Sequence, residues 1–264
     1  MYDLQYSKPS SVNDAVAEIK KSSDAKFLAG GMTMIPTLKA RLSSADMLVD
    51  LKGSNLSYIS VASSEISIGS MTRHCDVASS SDIKGSLPAL AKLAGGIGDH
   101  MVRSCGTIGG SLANNDPAAC YPSAVLALGA TVVTNERSLK ADDFFEGMFE
   151  TALNEDEVIT EVKFPIPEKA TYIKFPNPAS RYAMVGVFMV KKSDGISVAV
   201  TGAGENGVFR CKEIENVLNL NLALDALDNI QISHDDLTSD MHASAAYRAN
   251  LIREMAKQGL KDLI

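Results

Sequence analysis

Two short glycine loops constrain this chain more than any other feature of its sequence. The first loop is AGGMT at residues 29–33, and the second loop is TIGGS at 107–111, within the longer segment TIGGSLANNDPAACYP. In each loop, adjacent glycines remove two Cβ atoms and permit positive φ, so that consecutive backbone N–H groups can converge on one anion. No lysine is needed in such a nest. Two nests in one chain predict a dinucleotide site of a kind other than Rossmann.

Each glycine pair precedes a predicted helix, whose positive N-terminal end would favour the same anion. After the first loop, TMIPTLKARL predicts a helix with Thr33 as its N-cap and Pro36 in its first turn. After the second loop, Asp116 and Pro117 predict the N-cap and first residue of the apolar helix PAACYPSAVLALGA. The alternative is that each glycine pair is only a tight turn, and that Asp116 only caps a helix.

Three strings of the sequence carry a family resemblance: FLAGGMTMIPTLKARL, VRSCGTIGGSLANNDPAACYPSAVLALGA and SAAYRANLIREMAKQGL. The chain resembles the FAD-binding medium subunit of molybdenum hydroxylases, the family of xanthine dehydrogenase and aerobic carbon monoxide dehydrogenase. The similarity runs from YSKPSSVNDAVAEI to the C-terminal helix and so covers nearly the whole chain. The fold that it implies is α+β: a two-part FAD-binding fold, not Rossmann, followed by a C-terminal antiparallel sheet with helices.

The resemblance also implies where the cofactor would lie. FAD would bind non-covalently between two subdomains, with its pyrophosphate between the two loops and its flavin near two apolar residues, a lysine and a tyrosine. The implied cofactor-binding residues are Leu28, Ala29, Gly30, Gly31, Met32, Thr33, Ile97, Thr107, Ile108, Gly109, Gly110, Ser111, Asp116, Cys120, Ile159, Lys174 and Tyr182. By residue type alone, the isoleucines would be core residues, and Lys174 and Tyr182 would be ordinary strand residues.

The chain departs from the family pattern at two of these positions. Cys120 stands where the family usually has an aspartate that accepts hydrogen bonds from the adenosine ribose. Because a thiol is a poor acceptor, a contact of about 1 kcal/mol would be missing. The alternative is that Asp116 or a backbone carbonyl accepts the ribose hydrogen bond in place of the aspartate. Met32 replaces a polar residue, but its backbone N–H remains available for the same contact.

The function that the resemblance implies is electron transfer. FAD would take electrons from two [2Fe–2S] clusters of a small subunit, after a large molybdopterin subunit has oxidised the substrate, and pass them to NAD⁺, a quinone or oxygen. The molybdopterin and the clusters would lie only in these partners, in a dimer of heterotrimers, and no catalytic residue is predicted in this chain. Two alternatives are a stand-alone FAD-dependent dehydrogenase or oxidase, which would need a larger substrate-binding cap, and a non-catalytic assembly module.

The composition agrees with a cytoplasmic enzyme subunit. The chain has 264 residues, of which 45% are hydrophobic, and a net charge of −7, which argues against a nucleic-acid surface. The start MYDLQYSKPS does not resemble a signal peptide, and no apolar run reaches the roughly 18 residues of a membrane span. The four cysteines and four histidines are scattered without metal-ligand spacing, so no bound metal is predicted.

The order of predicted elements favours two domains, an FAD-binding domain at 1–167 and a C-terminal domain at 168–264. Within the first domain, we expect a break between subdomains near residue 55. SSVNDAVAEIKKS predicts an amphipathic helix behind a Ser10–Ser11 cap, and KFLAG, DMLVDL, LSYISVA, EISIGS, TVVT and EVITEVKFPIP predict strands. SLPALAKLAGGI and ADDFFEGM predict helices, the second of them short.

The C-terminal part contains a glycine motif of the Rossmann type. Gly202, Gly204 and Gly207 form G-x-G-x-x-G after a predicted strand, and Asp225 lies near the position of a ribose-binding acid. However, YAMVGVFMVKK and ISVAVT are joined by the tight turn SDG, which predicts an antiparallel hairpin, whereas a Rossmann strand belongs to a parallel sheet. We therefore do not expect this motif to bind a nucleotide.

Overall fold

The computed structural model describes residues 1–264 and contains four β-sheets with helices packed on them, which confirms the α+β prediction. The first 54 residues form a parallel sheet of order β1-β3-β2. Its elements are β1 Gln5–Ser7, α1 Val12–Ile19, β2 Ala25–Leu28, α2 Met34–Lys39, β3 Met47–Asp50 and a 3-10 helix Leu51–Gly53. Helix α1 begins at the predicted cap, where Ser11 Oγ accepts from the N–H of Asp14 at 3.1 Å. Its apolar face buries Ala15 and Ile19.

The middle of the chain forms an antiparallel five-stranded sheet of order β4-β5-β10-β6-β7. Its strands are β4 Ile59–Val61, β5 Glu65–Gly69, β6 Thr131–Thr134, β7 Ser138–Lys140 and β10 Ile159–Pro165. Between β5 and β6 the chain forms six helices: α3 His74–Ser79, α4 Ser81–Ser86, α5 Pro88–Gly95, α6 His100–Cys105, α7 Ile108–Asn114 and α8 Tyr121–Leu128. A small hairpin of β8 Phe145–Gly147 and β9 Glu150–Thr151 follows a 3-10 helix Ala141–Asp143.

The last third of the chain forms an antiparallel four-stranded sheet of order β11-β12-β13-β14. Its elements are β11 Lys169–Pro176, β12 Ala183–Lys192, β13 Gly195–Gly204, β14 Gly207–Arg210, α9 Lys212–Leu220 and α10 Ala245–Leu263. The pairing of β12 with β13 confirms the predicted hairpin. The glycine motif turns β13 back into β14, and Gly202 and Gly207 have φ of +83° and +98°. Since β13 has only antiparallel neighbours, no Rossmann unit is present.

Helix α8 lies at the centre of the molecule. All eight of its residues are buried, and it packs on β10 of the five-stranded sheet and on β12 and β13 of the four-stranded sheet. Apolar side chains of both sheets therefore join one core around it. The segment that precedes α8 is consequently held between the two sheets. None of the helices is both long enough and apolar enough to span a bilayer.

Two predicted helices differ from the structure. The apolar helix starts at Tyr121 and not at Pro117, so Asp116 is not its N-cap. The predicted helix ADDFFEGM is a single 3-10 turn followed by strand β8. In both places the backbone bonds to distant residues instead of forming a helix: Thr201 and Gly202 bond to the segment before Tyr121, and the Asn115 amide donates to the carbonyls of Gly147 and Glu150.

Candidate functional site

A cleft of about 610 Å³ opens between the three-stranded sheet, the five-stranded sheet and the start of β12. Its walls come from the first loop, the second loop, the segments 97–102 and 153–159, and the segment 174–182. The structure brings together in this cleft every residue predicted to bind the cofactor except Ile108. Ile108 is fully buried in the core behind it. Residues from distant parts of the sequence thus line one cleft, as the prediction of a shared cofactor site requires.

The first loop presents a row of free backbone donors to the cleft. No N–H group from Ala29 to Met34 donates a hydrogen bond within the chain. Gly31 has φ of +72°, which turns the loop before α2 begins at Met34. Thr33 is the N-cap residue, as predicted, but its hydroxyl makes no capping bond and stays free. Met32 and Thr33 are exposed, and Met34 begins α2, where backbone N–H groups are ordinarily free. A row of six successive free donors is the arrangement that suits an anion.

Two glycines allow the loops to approach each other. A Cβ at Gly30 would overlap the carbonyl oxygen of Cys105, just ahead of the second loop. A Cβ at Gly110 would lie 3.0 Å from Thr107 Oγ1 and 3.3 Å from Ala29 Cβ. Gly30 is thus needed for the close approach, whereas a Cβ at Gly110 would only crowd it. Among the four loop glycines only Gly31 has a positive φ.

The second loop does not form the predicted nest, because Gly109 and Gly110 lie in the first turn of α7. The N–H of Gly109 donates to Ser70 O at 2.8 Å, and the N–H of Gly110 donates to the capping Thr107 Oγ1 at 3.1 Å. The N–H groups of the residues on either side of this pair also have carbonyl acceptors. The free polar groups of this wall are instead the side chains of Ser111 and Asn114, which face the cleft without partners.

The residues before α8 form a turn that we call the Asp–Pro turn, residues 116–119. Asp116 Oδ1 accepts from the N–H of Ala118 at 2.8 Å, and the Asp116 carbonyl accepts from the N–H of Ala119 at 2.9 Å. Asp116 therefore closes a local turn and does not cap a helix. Cys120, which follows, occupies the N-cap position of α8 without a side-chain capping bond. All these residues except Pro117 line the cleft.

Lys174 ties three parts of the cleft wall together. Its ammonium group donates to the carbonyl of Gly96 and, at 3.1 Å, to the carbonyl of Arg181, and it lies 3.8 Å from Cys120 Sγ. Burial raises the pKa of the Cys120 thiol, and the nearby Lys174 charge opposes that shift. The strand lysine is thus a structural clamp of the cleft. Tyr182 is half-exposed on the same wall, and burial, with help from the Asp116 carboxylate, raises the pKa of its hydroxyl.

Sequence reasoning missed several residues of the cleft. His74 and Ser70 lie beneath the second loop, and the buried His74 Nδ1 and Ser70 Oγ have no hydrogen-bond partner. Burial, assisted by the Arg103 charge, lowers the pKa of His74 to about 4, so its ring is neutral at pH 7. A lone histidine after a predicted strand gives no signal by which it could have been found.

Sequence reasoning also missed Glu157, which anchors the cleft wall formed by the segment 153–159. Its carboxylate accepts from Arg137 at 2.9 Å and from Thr134 Oγ1 at 2.6 Å, and it also accepts from the backbone N–H of Asn154. Hydrogen bonding from Arg137 lowers the pKa of Glu157 to about 2 despite its burial. Glu157 is therefore ionised at neutral pH, and its contacts fix the loop that leads to Ile159.

The residues of the cleft fit a dinucleotide with a redox ring. Free backbone donors suit a pyrophosphate, and the apolar side chains of Ile97 and Ile159 suit a planar ring. Half of the 36 lining residues are hydrophobic, as is common in a small-molecule site.

Comparison with known proteins agrees with this fit. The family described as FAD binding domain in molybdopterin dehydrogenase matches residues 2–167. The glyceraldehyde dehydrogenase medium chain of Sulfolobus acidocaldarius is 32% identical over 276 residues, covering 99% of this chain and 98% of that protein. The carbon monoxide dehydrogenase medium chain of Hydrogenophaga pseudoflava is 31% identical over 274 residues, covering 97% of this chain and 96% of that protein.

A solved structure shows the same fold. A chain of the reconstituted CO dehydrogenase from Oligotropha carboxidovorans superposes with a TM-score of 0.88 at 28% identity, covering 99% of this chain and 97% of that chain. The match extends beyond residue 167, so the four-stranded sheet and α10 belong to the shared fold. The cofactor of this fold is FAD, and the relatives are oxidoreductase subunits. This chain belongs to the family of FAD-binding medium subunits of molybdenum hydroxylases.

Proposed function

We propose that FAD binds without a covalent bond in the cleft described above and that the chain serves as the electron-transfer subunit of a molybdenum hydroxylase complex. The observation that carries the proposal is the row of free N–H groups from Ala29 to Met34 opposite the second loop. These donors would hold the pyrophosphate, and Ser111 and Asn114 would bind it from the other side. The hydrogen bonds within the chain support these two roles. The backbone N–H groups of the first loop are free, whereas those of residues 108–111 in the second loop already donate to acceptors in the chain.

The remaining walls would orient the ring. Ile97 and Ile159 offer apolar contact, and the half-exposed Tyr182 lines the same cleft. Lys174 would hold this wall in place through the carbonyls of Gly96 and Arg181. FAD, when bound, supplies the redox chemistry. The chain itself binds the cofactor, orients it and limits the access of water, and no side chain is needed as a general acid or base.

We further propose that electrons come from the [2Fe–2S] clusters of a small partner subunit, fed by a molybdopterin subunit, and leave to an external acceptor. The names of several relatives support a complex, since they describe medium chains or subunits of dehydrogenases. A dimer of heterotrimers remains our proposal for the assembly. So does the division of the chain into domains at 1–167 and 168–264, with a break near residue 55.

The direct test is the cofactor content of the purified chain. We expect yellow protein that releases free FAD on denaturation, in a ratio near one per chain. Flavin that stays attached after denaturation, or a bound nucleotide other than FAD, would contradict the proposal. Protein that neither carries nor takes up FAD would favour an assembly module.

A second test addresses electron flow. We expect co-expression with a large molybdopterin subunit and a small [2Fe–2S] subunit to give a complex in which added substrate bleaches the flavin absorbance. The isolated chain with FAD should show no bleaching by the same substrate. Bleaching of the isolated chain would instead support a stand-alone dehydrogenase.

A further inference from the structure

Helix α8 and the turn before it are held by hydroxyl groups of β13, and one of these hydroxyls lies directly behind the cleft. Thr201 is fully buried, and its Oγ1 lies 2.6 Å from the Ala119 carbonyl oxygen. The next residue, Gly202, donates its N–H to the Pro117 carbonyl at 2.8 Å. The Asp–Pro turn is thus bonded at two successive points to a strand outside the region matched by the FAD-binding family.

We infer that Thr201 is a positioning residue for FAD binding, which acts by fixing the Asp–Pro turn at the wall of the cleft. The inference rests on the proposed location of FAD in this cleft. Thr201 does not line the cleft itself, so it would act only through the turn. Asp116, Ala118 and Ala119 of that turn do line it.

The hydrogen-bond count shows why Thr201 cannot easily be replaced. Its hydroxyl has one proton, and the Pro117 carbonyl, 3.0 Å away, already accepts from Gly202. The proton therefore goes to Ala119, whose carbonyl has no other donor in the chain. Removal of the hydroxyl would leave the half-buried Ala119 carbonyl without a hydrogen-bond donor in the chain, which favours rearrangement of the turn. A wall that rearranges no longer presents its residues to a ligand in one geometry.

Gly202 is itself held by a residue of the last helix, α10. Arg248 is only 4% exposed and donates to the carbonyls of Gly202 at 2.8 Å and Met184 at 2.7 Å, and it also pairs with Asp240 at 2.7 Å. With φ of +83°, Gly202 adopts a conformation that would be strained for other residues. The anchor of the Asp–Pro turn therefore rests on a rigid sheet and not on a mobile loop.

The chain contains a matched control on the same strand. Ser197, four residues before Thr201, is buried and donates its hydroxyl to the Ala127 carbonyl at 2.7 Å. This bond also joins β13 to α8, but at the end of the helix far from the cleft, and Ala127 does not line the cleft. Loss of either hydroxyl should reduce the stability of the fold in a similar way. Only the loss at Thr201 should reduce FAD affinity.

The experiment measures the dissociation constant of FAD, by quenching of flavin fluorescence, and the melting temperature of the apo-protein for each variant. We expect Thr201→Val to weaken FAD binding about tenfold or more, as the loss of one ordered wall contact implies. Thr201→Ser retains the hydroxyl and should bind within about twofold of the original chain. Ser197→Ala should melt earlier and bind FAD normally.

Two outcomes would overturn the inference. One is unchanged FAD affinity in Thr201→Val, and the other is equal weakening in Thr201→Val and Ser197→Ala, which would reduce the effect to general stability. If Thr201→Val does not fold, Thr201→Cys carries the same test, because a thiol is a weaker donor and should give a smaller loss. Failure of the unaltered chain to bind FAD would instead contradict the proposed function, so the two failures can be told apart.

Discussion

Lys174 Nζ and Cys120 Sγ lie 3.8 Å apart, so that an ammonium group faces a buried thiol at the cleft wall. The Tyr172 hydroxyl, a third member of this cluster, is buried and has no hydrogen-bond partner in the chain. Both neighbours are donors that a carboxylate could satisfy better than a thiol can. The surroundings of Cys120, where the family resemblance leads us to expect an aspartate, are therefore already equipped for an acidic side chain.

We predict that Cys120→Asp binds FAD about tenfold more tightly, because an ionised acceptor would be available to a ribose hydroxyl and Lys174 would stabilise its charge. Titration of FAD into the two apo-proteins measures the change. Cys120→Asn, which has the same shape without the charge, separates charge from size. Equal or weaker binding in the aspartate variant would mean that Asp116 or a backbone carbonyl already fills the acceptor role.

Gly30→Ala should weaken FAD binding by about a hundredfold, because its Cβ would overlap the Cys105 carbonyl and push the first loop away. Loss of two charge-assisted hydrogen bonds at about 1.5 kcal/mol each gives an effect of this size. The control is Gly85→Ala in α4, where a Cβ would meet no atom within 4 Å. Normal flavin content in purified Gly30→Ala would show that the first loop does not hold the phosphate.

Gly110→Val should lose FAD while the chain stays folded. Its helical conformation tolerates any residue, so the cause is steric: the side chain would fill the gap to Ala29 and Thr107. Gly110→Ala, whose Cβ requires shifts of only a few tenths of an ångström, should bind with reduced affinity. Flavin absorbance after gel filtration and a circular dichroism spectrum test both parts. A valine variant that keeps its flavin would mean that the second loop only shapes the fold.

The pKa of His74, lowered by burial to about 4, predicts a pH dependence of stability. Between pH 6.5 and 4 the unfolded chain binds a proton at this residue and the folded chain does not, so stability falls as the pH falls. A difference of this size corresponds to about 3 kcal/mol. Glu157, with a pKa of about 2, contributes to acid unfolding only below about pH 4.5.

The measurement is the urea unfolding free energy of the apo-protein from pH 7 to pH 4. His74→Phe should lose most of the slope in this window, since its ring can still pack on Tyr121, whose centroid is 5.4 Å from that of His74. A slope that survives in His74→Phe would assign the titration to another group.

Local sequence signals predicted those parts of the fold whose cause is also local. The amphipathic helix α1, its Ser11 cap and the β12–β13 hairpin needed only neighbouring residues. The start of α8 could not be predicted, because Thr201 and Gly202 bond the turn that Asp116 and Pro117 would otherwise use to begin a helix.

The candidate site shows the same limit. The glycine pairs pointed to both loops, but only the bond partners distinguish them: Ser70 and Thr107 accept from the second loop, whereas nothing accepts from the first. Lys174 was identified only through resemblance, since its role as a clamp depends on Gly96 and Arg181, whose carbonyls reach it only in the folded chain. Hydrogen bonds between residues that are distant in the sequence therefore determine the roles of the two loops and of Lys174.

The bond from Arg248 to Gly202 has a consequence for biosynthesis. The Asp–Pro turn receives its partners from residues about 80 positions later, and Gly202 receives its own from α10, near the C-terminal end of the described chain. A nascent chain still attached to the ribosome, with α10 inside the exit tunnel, would have both glycine loops but not the wall that faces them. Cofactor loading should therefore wait until α10 has left the exit tunnel.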